Sequence, residues 1–565
     1  MIAKRIKQLR SKFNKFEIDG YVIPKNDEFF SEYAAKDRLK IISDFTGSAG
    51  FAIILKKKNY LFVDGRYTLQ AEIESGKQFK IIKYEDILNC KLFKNLTLGI
   101  DPKLFTSFQI KRFFKKYNNI KEIETNLIDL IYNKYSFKSK PFYSLQKNIT
   151  GENHLTKINK ISNFLKKNKK NFLFVSSPEN VAWLLNIRGF DNPNSPMPNC
   201  RLLINDNKKI YLISKLKNLK KLIKEKKIKK DQVIEPQNFK TFINKFQKKK
   251  IIIDYKSCSL FFENLFKKKL LVFKNDDPIY FFKSIKNKKE ITNMINSHIL
   301  DGVALTKFLY WIKKVNKKKI TELDAQNKLE NFRKKSKKYL FPSFNTIAGA
   351  GSNGAIVHYR ATKKNTQIIK KEDIFLCDSG GQYKYGTTDV TRTICFSKPN
   401  KKIKDVFTKV LKGHIAVATV NLSKYSNGKL IDKLARKYLK LDGLNYEHGT
   451  GHGVGFFSNV HEGPQAISKY NKVKIREGMI ISNEPGFYKK GKFGIRIENL
   501  VYVKKLKKKL MFENLTLAPI EKELINFQEL NEKEKKYLFK YHLDVFSKIS
   551  KFLNKHEKKW LATFI

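Results

Sequence analysis

The chain has 565 residues, 41% of them hydrophobic and 13% aromatic, which excludes a disordered polymer and suffices for several globular domains. Its formal net charge is +64, but only 13 of the 116 basic residues are Arg, the residue that bidentate phosphate and base contacts favour. The lysines are spread over the whole length among Asn, Ile, Phe and Tyr, all encoded by AT-rich codons, so we expect no specific nucleic-acid partner.

The cysteines and the apolar runs indicate the compartment. An odd number of scattered cysteines without a CxxC pair is typical of reduced thiols, which predicts a cytoplasmic protein. These cysteines are Cys90, Cys200, Cys258, Cys377 and Cys395. No apolar run approaches the roughly 18 residues that a membrane span requires, so we expect no membrane partner.

Helical and strand patterns alternate over the first half of the chain. Residues 5–47 read as an amphipathic helix, a short apolar strand and a further helix, and residues 154–189 repeat this order. The very first residues are interpreted as the first helix of a domain, with an amphipathic targeting helix as the alternative. Alternation of this kind predicts α/β units, so we predict similar α/β domains at 1–140 and 141–285.

The pattern changes at about residue 286, where we predict a third domain that extends to residue 565. It begins with a long amphipathic helix, "NKKEITNMINSHILDGVALTKFLYWIKKV", and has further helices near 401–440. Five of the nine histidines lie between residues 358 and 461, within a glycine-rich region that also carries acidic residues. This region is where we expect the chemistry.

A pair of aspartates is the first candidate site. In "DIFLCDSGGQYKYGTTDVTRTICF" a hairpin centred near Tyr383 and Lys384 would place Asp378 opposite Asp389, with Cβ atoms roughly 4.5–5.5 Å apart. Buried carboxylates at that distance repel unless a cation lies between them. The alternative is that both are turn or capping aspartates of a surface hairpin.

A pair of glutamates repeats the arrangement in "GMIISNEPGFYKKGKFGIRIENLVYV". Glu484 ends an apolar run, the chain turns around Gly491, and Glu498 lies on the returning strand. Arg496 is two residues before Glu498 and therefore on the same face of that strand. A buried Arg496–Glu498 salt bridge is the structural alternative to a ligand role, and both hold together if the arginine orients the carboxylate.

Between the two pairs lies "HGTGHGVGFFSNVHEGP", residues 448–464. Its glycines alternate without the GxGxxG spacing of a dinucleotide loop, and neither a P-loop nor an HExxH zinc helix is present in the sequence. What remains is a set of two aspartates, one or more histidines and two glutamates. Such ligands suit Mn²⁺, Fe²⁺ or Co²⁺, with Zn²⁺ as an alternative. Four carboxylates carry more charge than one divalent ion neutralises, which favours two ions.

These motifs, in this order, resemble those of the pita-bread metallopeptidases, and within them the long three-domain Xaa-Pro aminopeptidases. The likeness extends over essentially the full chain, through "DGYVIPKNDEFFSEYAAKDRLKIISDFTGSAGFAIIL", "NIRGFDNP" and the tail "FENLTLAPIEKELINFQELNEKEKKYLFKYH". The resemblance implies an α/β (α+β) protein with two creatinase-like N-terminal domains followed by a pita-bread catalytic domain. It also implies a homodimer with two divalent ions per subunit, Mn²⁺ being the first expectation.

Carried over position by position, the resemblance assigns a role to each candidate residue. The implied metal ligands are Asp378, Asp389, His452, Glu484 and Glu498. The implied substrate-facing or supporting histidines are His358, His448 and His461, and the ligand-orienting arginine is Arg496. We interpret His414 as structural, and Cys377 and Cys395 as packed small hydrophobic residues.

The resemblance further implies release of the first residue from peptides with proline in the second position. Our hypothesis is that a water shared by two metals becomes a hydroxide nucleophile, with Glu484 as the proton acceptor. An Xaa-Pro dipeptidase and a non-catalytic pita-bread binding module are the alternatives. Methionine-removing relatives usually lack the N-terminal domains, and creatine-hydrolysing relatives lack the metal ligands, so both fit this chain less well.

Overall fold

The computed structural model describes residues 1–89, 94–114, 118–134, 139–315 and 319–565. Cys90 lies outside the described residues. The chain divides into two compact units, Met1–Tyr280 and Phe281–Ile565. The domain boundaries that we placed at residues 140 and 285 stay predictions.

The first unit begins with a mixed sheet and its helices. Its strands are β1 Gly20–Pro24, β2 Gly50–Leu55, β3 Asn59–Val63, β4 Lys80–Lys83, β5 Thr97–Ile100 and β6 Asn119–Glu122. Its helices are α1 Ile2–Arg10, α2 Arg38–Ser43, α3 Thr68–Ser75, α4 Ser107–Phe113 and α5 Leu127–Ile131. The sheet has the order β4-β3-β2-β1-β5-β6.

The remainder of this unit repeats the plan. Its strands are β7 Tyr143–Ser144, β8 Phe172–Val175, β9 Ile187–Arg188, β10 Arg201–Asn205, β11 Ile210–Ile213, β12 Val233–Ile234, β13 Lys250–Asp254 and β14 Leu271–Asn275. Its helices are α6 Lys147–Thr150, α7 His154–Lys167, α8 Pro178–Leu185, α9 Leu216–Lys224, α10 Phe239–Ile243, α11 Leu260–Lys267 and α12 Pro278–Ser284, the last of which crosses into the second unit.

The second sheet has the order β12-β11-β10-β8-β13-β14, which is the order of the first sheet with each strand in the equivalent place. Strand directions match as well: β1 and β8 each have an antiparallel neighbour on one side and a parallel neighbour on the other. The helix–strand–helix echo predicted from the sequence is therefore confirmed as α1-β1-α2 and α7-β8-α8. Central strands are buried on both faces, which explains why they read as continuous apolar runs.

The second unit combines long helices with short antiparallel sheets. Its helices are α13 Lys288–Lys314, α14 Glu322–Lys334, α15 Lys401–Ala418, α16 Gly428–Lys440, α17 Glu532–Ile549 and α18 Lys555–Ala562. Its strands are β15 Tyr339–Pro342, β16 Ile347–Ala350, β17 Ile374–Ser379, β18 Gly381–Tyr383, β19 Gly386–Thr387, β20 Val390–Cys395, β21 Gly451–His452, β22 Ala466–Ile467, β23 Ile480–Asn483, β24 Gly486–Lys489, β25 Phe493–Arg496, β26 Asn499–Leu506 and β27 Lys509–Asn514.

Helix α13 is the long amphipathic helix that the sequence predicts. It begins where the Asn287 side chain accepts hydrogen bonds from the backbone of Lys289 and Glu290, and Glu290 completes a capping box. Residues recurring every three or four positions, such as Leu305, Leu309 and Ile312, are buried against α14 and the central strands. The helices predicted near 401–440 are confirmed as α15 and α16.

The aspartate hairpin forms, but its register differs from the prediction. Asp378 pairs with Thr391 rather than Asp389, and the turn is centred between Lys384 and Tyr385. The prediction placed the turn one residue too early, which moved the pairing by two residues. A two-residue shift keeps side chains on the same face, so Asp378 and Asp389 still face the same side as diagonal neighbours.

The glutamate hairpin turns around Gly491, as predicted. Lys489 pairs with Phe493 on one side of the turn, and the same register continues to the pairing of Asn483 with Asn499. This register places Glu484 opposite Glu498, at the point where the β23–β26 ladder gives way to the β24–β25 ladder. No helix among the described residues is long and apolar enough to cross a bilayer.

Candidate metal centre

Four carboxylates converge from the two hairpins. Asp378 is within β17, Asp389 directly precedes β20, Glu484 directly follows β23, and Glu498 directly precedes β26. All but Glu484, which is half-buried, are almost fully withdrawn from solvent. The short strand β21 brings His452 close to these carboxylates. Strand β21 pairs with β22, and Gly453, the residue after His452, forms a β-bridge to β23.

The ligand atoms of this group lie close together. Nε2 of His452 is 3.4 Å from Oδ2 of Asp389 and 3.4 Å from Oε1 of Glu484. The donor atoms of Asp389, His452 and Glu498 all lie within 4.8 Å of one another. The structure thus brings together every residue that the resemblance assigned as a metal ligand.

The pKa shifts within this group indicate a site that added positive charge would stabilise. Burial raises the pKa of Asp378 to about 6, although Arg496 opposes the rise. Burial also raises the pKa of Glu498, and the neighbouring carboxylates Asp389 and Glu484 raise it further. Burial alone would lower the pKa of His452, but Asp389 and Glu484 raise it to about 9. Each of these directions follows from burying four acids around one imidazole.

One ring nitrogen of His452 is committed to the backbone. Its Nδ1 lies 3.0 Å from the carbonyl oxygen of Gly453. A carbonyl oxygen only accepts, so Nδ1 carries the proton and donates it. Nε2, the atom that faces Asp389 and Glu484, is then the nitrogen available to a cation.

The residues fit a divalent cation on two further counts. Oδ1 of Asp378 is buried and has no hydrogen-bond partner among the described residues, whereas its Oδ2 is bound by Arg496. A buried carboxylate oxygen without a donor is costly, and a metal ion satisfies it. The donor set of carboxylate oxygens and one imidazole is also the set that Mn²⁺, Fe²⁺, Co²⁺ and Zn²⁺ accept.

Arg496 orients the aspartate side of the group. It donates to Oδ2 of Asp378 at 2.6 Å and to Oγ1 of Thr391 at 3.1 Å. The Thr391 hydroxyl in turn donates to Oε2 of Glu498 at 2.7 Å. The ion pair of the arginine is therefore with Asp378, and the Arg496–Glu498 salt bridge that we gave as an alternative is replaced by a link through Thr391.

His448 and His461, at the two ends of the segment that carries His452, differ in their exposure to solvent. The His448 ring is buried, with Nδ1 2.7 Å from the Gly449 carbonyl oxygen and Nε2 2.8 Å from the Tyr488 hydroxyl. The His461 ring is exposed, and its centroid is 4.2 Å from that of His452. His461 thus borders the carboxylate cluster from the solvent side.

His358 lies on a separate segment, the loop that follows β16. The buried Glu322 side chain of α14 holds this loop by accepting from the Ala350 backbone at 2.8 Å and from the Tyr359 hydroxyl at 2.7 Å. The hydroxyl oxygen of Tyr359, the neighbour of His358, also lies 2.6 Å from the Asn365 carbonyl oxygen. The loop that carries His358 is therefore fixed by a buried carboxylate.

Several supporting residues were missed by the sequence reasoning. The Ser482 hydroxyl accepts a hydrogen bond from the backbone N–H of His452 at 2.9 Å and donates one to Oε1 of Glu484 at 2.9 Å. Ser482 and Thr391 each lie two residues from a ligand, so strand alternation was the signal that could have identified them. Tyr488 and Glu322 gave no such signal, because their partners come from distant parts of the chain.

The residues interpreted as structural behave as such. His414 lies within α15 and is fully buried, with Nδ1 3.1 Å from the Asn483 carbonyl; burial lowers its pKa to about 3. Cys377 and Cys395 are buried in apolar clusters. The Cys395 thiol also lies near Glu521 and Glu523, and Lys313 forms ion pairs with both carboxylates at 2.9 and 3.2 Å.

Comparison with known families agrees with this organisation. The model of metallopeptidase family M24 matches residues 292–505, and that of the C-terminal region of peptidase M24 matches 508–563. Models of the creatinase/prolidase N-terminal domain match residues 5–129 and 133–290. The fold and the site together define an M24 metallopeptidase, and thus a hydrolase, with creatinase-like N-terminal domains.

Comparison with individual relatives identifies the family within this class. The probable Xaa-Pro aminopeptidase P of Laccaria bicolor is 36% identical over 98% of this chain and 91% of its own length. That of Aspergillus fumigatus is 36% identical over 99% of this chain and 92% of its own. The structure of X-prolyl aminopeptidase from Caenorhabditis elegans, a cytosolic enzyme with a dinuclear active site, superimposes with a TM-score of 0.92 at 28% identity and covers 100% and 99% of the two chains. The chain belongs to the Xaa-Pro aminopeptidase P family.

Proposed function

We propose that this protein hydrolyses the bond between the first residue of a peptide and a proline in the second position. The observation that carries the proposal is the clustering of Asp378, Asp389, Glu484 and Glu498 with His452, in a chain whose full-length relatives are named Xaa-Pro aminopeptidase P. These five side chains hold two divalent cations, with Mn²⁺ as the first expectation. When bound, such cations polarise a carbonyl and lower the pKa of a bound water toward neutrality.

The chain's own groups supply the proton transfers. Water adds to the carbonyl carbon of the first residue, the bond from that carbon to the proline nitrogen breaks, and a proton from the water ends on that nitrogen. Glu484 is the proton acceptor, because its side chain, 17% exposed, is the least buried of the four carboxylates, and because His452 and His448 keep its pKa low despite burial. Ser482 holds its Oε1 at 2.9 Å.

The histidines bind the carbonyl end of the substrate. His461 donates to the oxyanion that forms at the carbonyl, a role supported by its solvent-facing position beside His452. We assign His448 the second contact with the carbonyl end of the substrate; its Nε2 lies 2.8 Å from the Tyr488 hydroxyl. His358, on the loop held by Glu322, supports the proline end. A tertiary X–Pro amide has no N–H to offer a pocket, so recognition of the proline ring itself is required.

The direct test is hydrolysis of Arg-Pro-Pro and Ala-Pro by the purified protein, with Mn²⁺ present and after chelation. We expect metal-dependent release of Arg from Arg-Pro-Pro and little cleavage of Ala-Pro. Asp378→Asn and His452→Ala are expected to lower kcat/KM by more than about 100-fold, since even outer partners of a metal site typically contribute 10–100-fold. Full activity of either variant in metal-replete buffer would refute the ligand assignment.

The two rival functions give different outcomes in the same assay. A dipeptidase would cleave Ala-Pro in preference to Arg-Pro-Pro, and a binding module would cleave neither. Prolidase structures share part of the fold; that of Thermococcus sibiricus superimposes with a TM-score of 0.53 at 26% identity over 66% of this chain. We extend the proposal to a cytoplasmic homodimer, which sedimentation of the native protein would test.

A further inference from the structure

A buried group of charges lies next to the proposed active site. The carboxylate of Glu462, the residue after His461, is bound at Oε2 by Lys283 (3.0 Å) and at Oε1 by Lys286 (2.5 Å). The three side chains, here called the buried trio, are 2%, 3% and 1% exposed. Lysine is almost never buried to this degree unless it is paired with an acid.

Stability alone is a poor explanation for the buried trio. Removing charges from water costs free energy that the attraction between them only partly recovers, so apolar side chains of similar volume often stabilise a fold equally well. Burial opposes ionisation of Glu462, yet Lys283 and Lys286 hold its pKa below the usual range, so the carboxylate is charged. The question is then what this charge fixes.

The backbone of Glu462 connects the trio to the candidate ligand. Its N–H donates to the carbonyl oxygen of Gly453 at 2.8 Å, and that same oxygen accepts Nδ1–H of His452 at 3.0 Å. The preceding residue, His461, places its ring 4.2 Å from the ring of His452. Gly455 leaves the space that the carboxylate occupies, since a Cβ there would lie 2.9 Å from Oε2 of Glu462.

We propose that Glu462 is a positioning residue for the hydrolysis, held in place by Lys283 and Lys286. The lysines fix the Glu462 side chain, the Glu462 N–H fixes the Gly453 carbonyl, and that carbonyl fixes the tautomer and orientation of His452. The same anchor sets the distance from His461 to His452. Glu462 touches neither substrate nor cation. The inference rests on the proposed function of these two histidines.

This role predicts a specific kinetic pattern. Glu462→Gln keeps the shape but removes the charge, so the lysines lose their partner and the Gly453 carbonyl loses its fixed position. We expect kcat to fall about 10–100-fold and the Kd for Mn²⁺ to rise by about 10-fold, as for other outer partners of metal ligands. KM should change less than about 3-fold, because the substitution disturbs the positions of the reacting groups rather than the binding of substrate. Glu462→Asp should recover part of kcat.

A matched control exists in the first unit. Glu263 is a carboxylate with 1% exposure that is bound by Lys267 and Lys274, each at 2.6 Å. Glu263→Gln removes the same charge from a buried carboxylate in the unit that does not contain these histidines, although its lysine partners are more exposed, at 53% and 39%. We expect it to lower Tm while kcat and the Kd for Mn²⁺ stay within about 2-fold of the parent protein.

The outcomes separate the hypotheses. Wild-type kcat and Mn²⁺ affinity in Glu462→Gln, together with a lowered Tm like that of Glu263→Gln, would overturn the proposal in favour of a structural role. If Glu462→Gln does not fold, the milder variants Lys283→Met and Lys286→Met provide the test. An unchanged kcat in both variants would overturn the proposal. If the parent protein cleaves no Xaa-Pro peptide, the proposed function fails, and the Mn²⁺ titration still tests the positioning of His452.

Discussion

At the residue scale, three side chains of the candidate metal centre share one arrangement: one atom is anchored by the protein and another faces the cluster. His452 is anchored through Nδ1 to Gly453, Asp378 through Oδ2 to Arg496, and Glu498 through Oε2 to Thr391. An anchored ligand loses less freedom when a cation binds, and its orientation is set in advance. Replacing an anchor should therefore weaken the site without removing a ligand.

Arg496 gives the sharpest test of an anchor. It binds Asp378, Thr391 and the Tyr488 hydroxyl, the last at 2.5 Å, which uses the full width of the guanidinium. Lysine retains the charge but lacks the planar fork. We expect Arg496→Lys to lower kcat/KM for Arg-Pro-Pro about 10–100-fold.

Arg38→Lys is the control for this substitution. Arg38 is 1% exposed and makes an equivalent fork to Asp129, at 2.9 and 2.8 Å, within the first unit. Its replacement should lower Tm and leave kcat/KM unchanged. Equal loss of activity in both variants would mean that Arg496 acts through general stability.

At the scale of secondary structure elements, the site depends on close approach of backbones. Strand β21 lies so near its neighbours that a Cβ at Gly451 would collide with the Ser482 carbonyl, and one at Gly453 with the Glu462 carbonyl. Gly451 and Gly453 are thus a packing requirement of the short strand that carries His452. The register of the two hairpins then decides which carboxylates it meets.

Gly453→Ala tests this packing. The added methyl group must displace the Glu462 backbone, and with it both His452 and His461, so we expect kcat/KM to fall more than about 10-fold and Tm to decrease. Gly463→Ala in the same loop is the control, because a Cβ there meets nothing within 4 Å. Parent-level activity in Gly453→Ala would contradict the packing argument.

At the scale of the whole molecule, the chain concentrates four carboxylates at one place in the interior of the second unit. Asp378, Asp389, Glu484 and Glu498 repel one another, so the folded state without cations is destabilised relative to the loaded state. Stability of the second unit should therefore depend on bound metal.

Chelation measures this dependence. One cation at 100 times its Kd adds about 2.7 kcal/mol of stability, which for a unit of this size is about 5–10 °C in Tm. We expect EDTA to lower the Tm of the native protein by at least this amount and Mn²⁺ to restore it, in a calorimetric scan. His452→Ala should show a much smaller shift, and an EDTA-insensitive native protein would exclude a stabilising metal site.

The sequence alone determined a large part of this protein. Helix α13, the echo of α1-β1-α2 in α7-β8-α8, and the turn at Gly491 follow from local periodicity and turn chemistry, which act over a few residues. The ligand candidates followed from the motif resemblance, because local patterns alone left structural alternatives open for both carboxylate pairs.

Only the tertiary structure determined which residues pair with one another. The Asp378–Thr391 register, the Arg496–Asp378 ion pair and the pairing of Glu462 with Lys283 and Lys286 join residues far apart in the chain. Local patterns do not specify such pairings, since they depend on how separately formed elements pack and on which buried charge lacks a partner. A one-residue error in a turn was enough to misplace one pair, although the period of two kept both aspartates on the correct face.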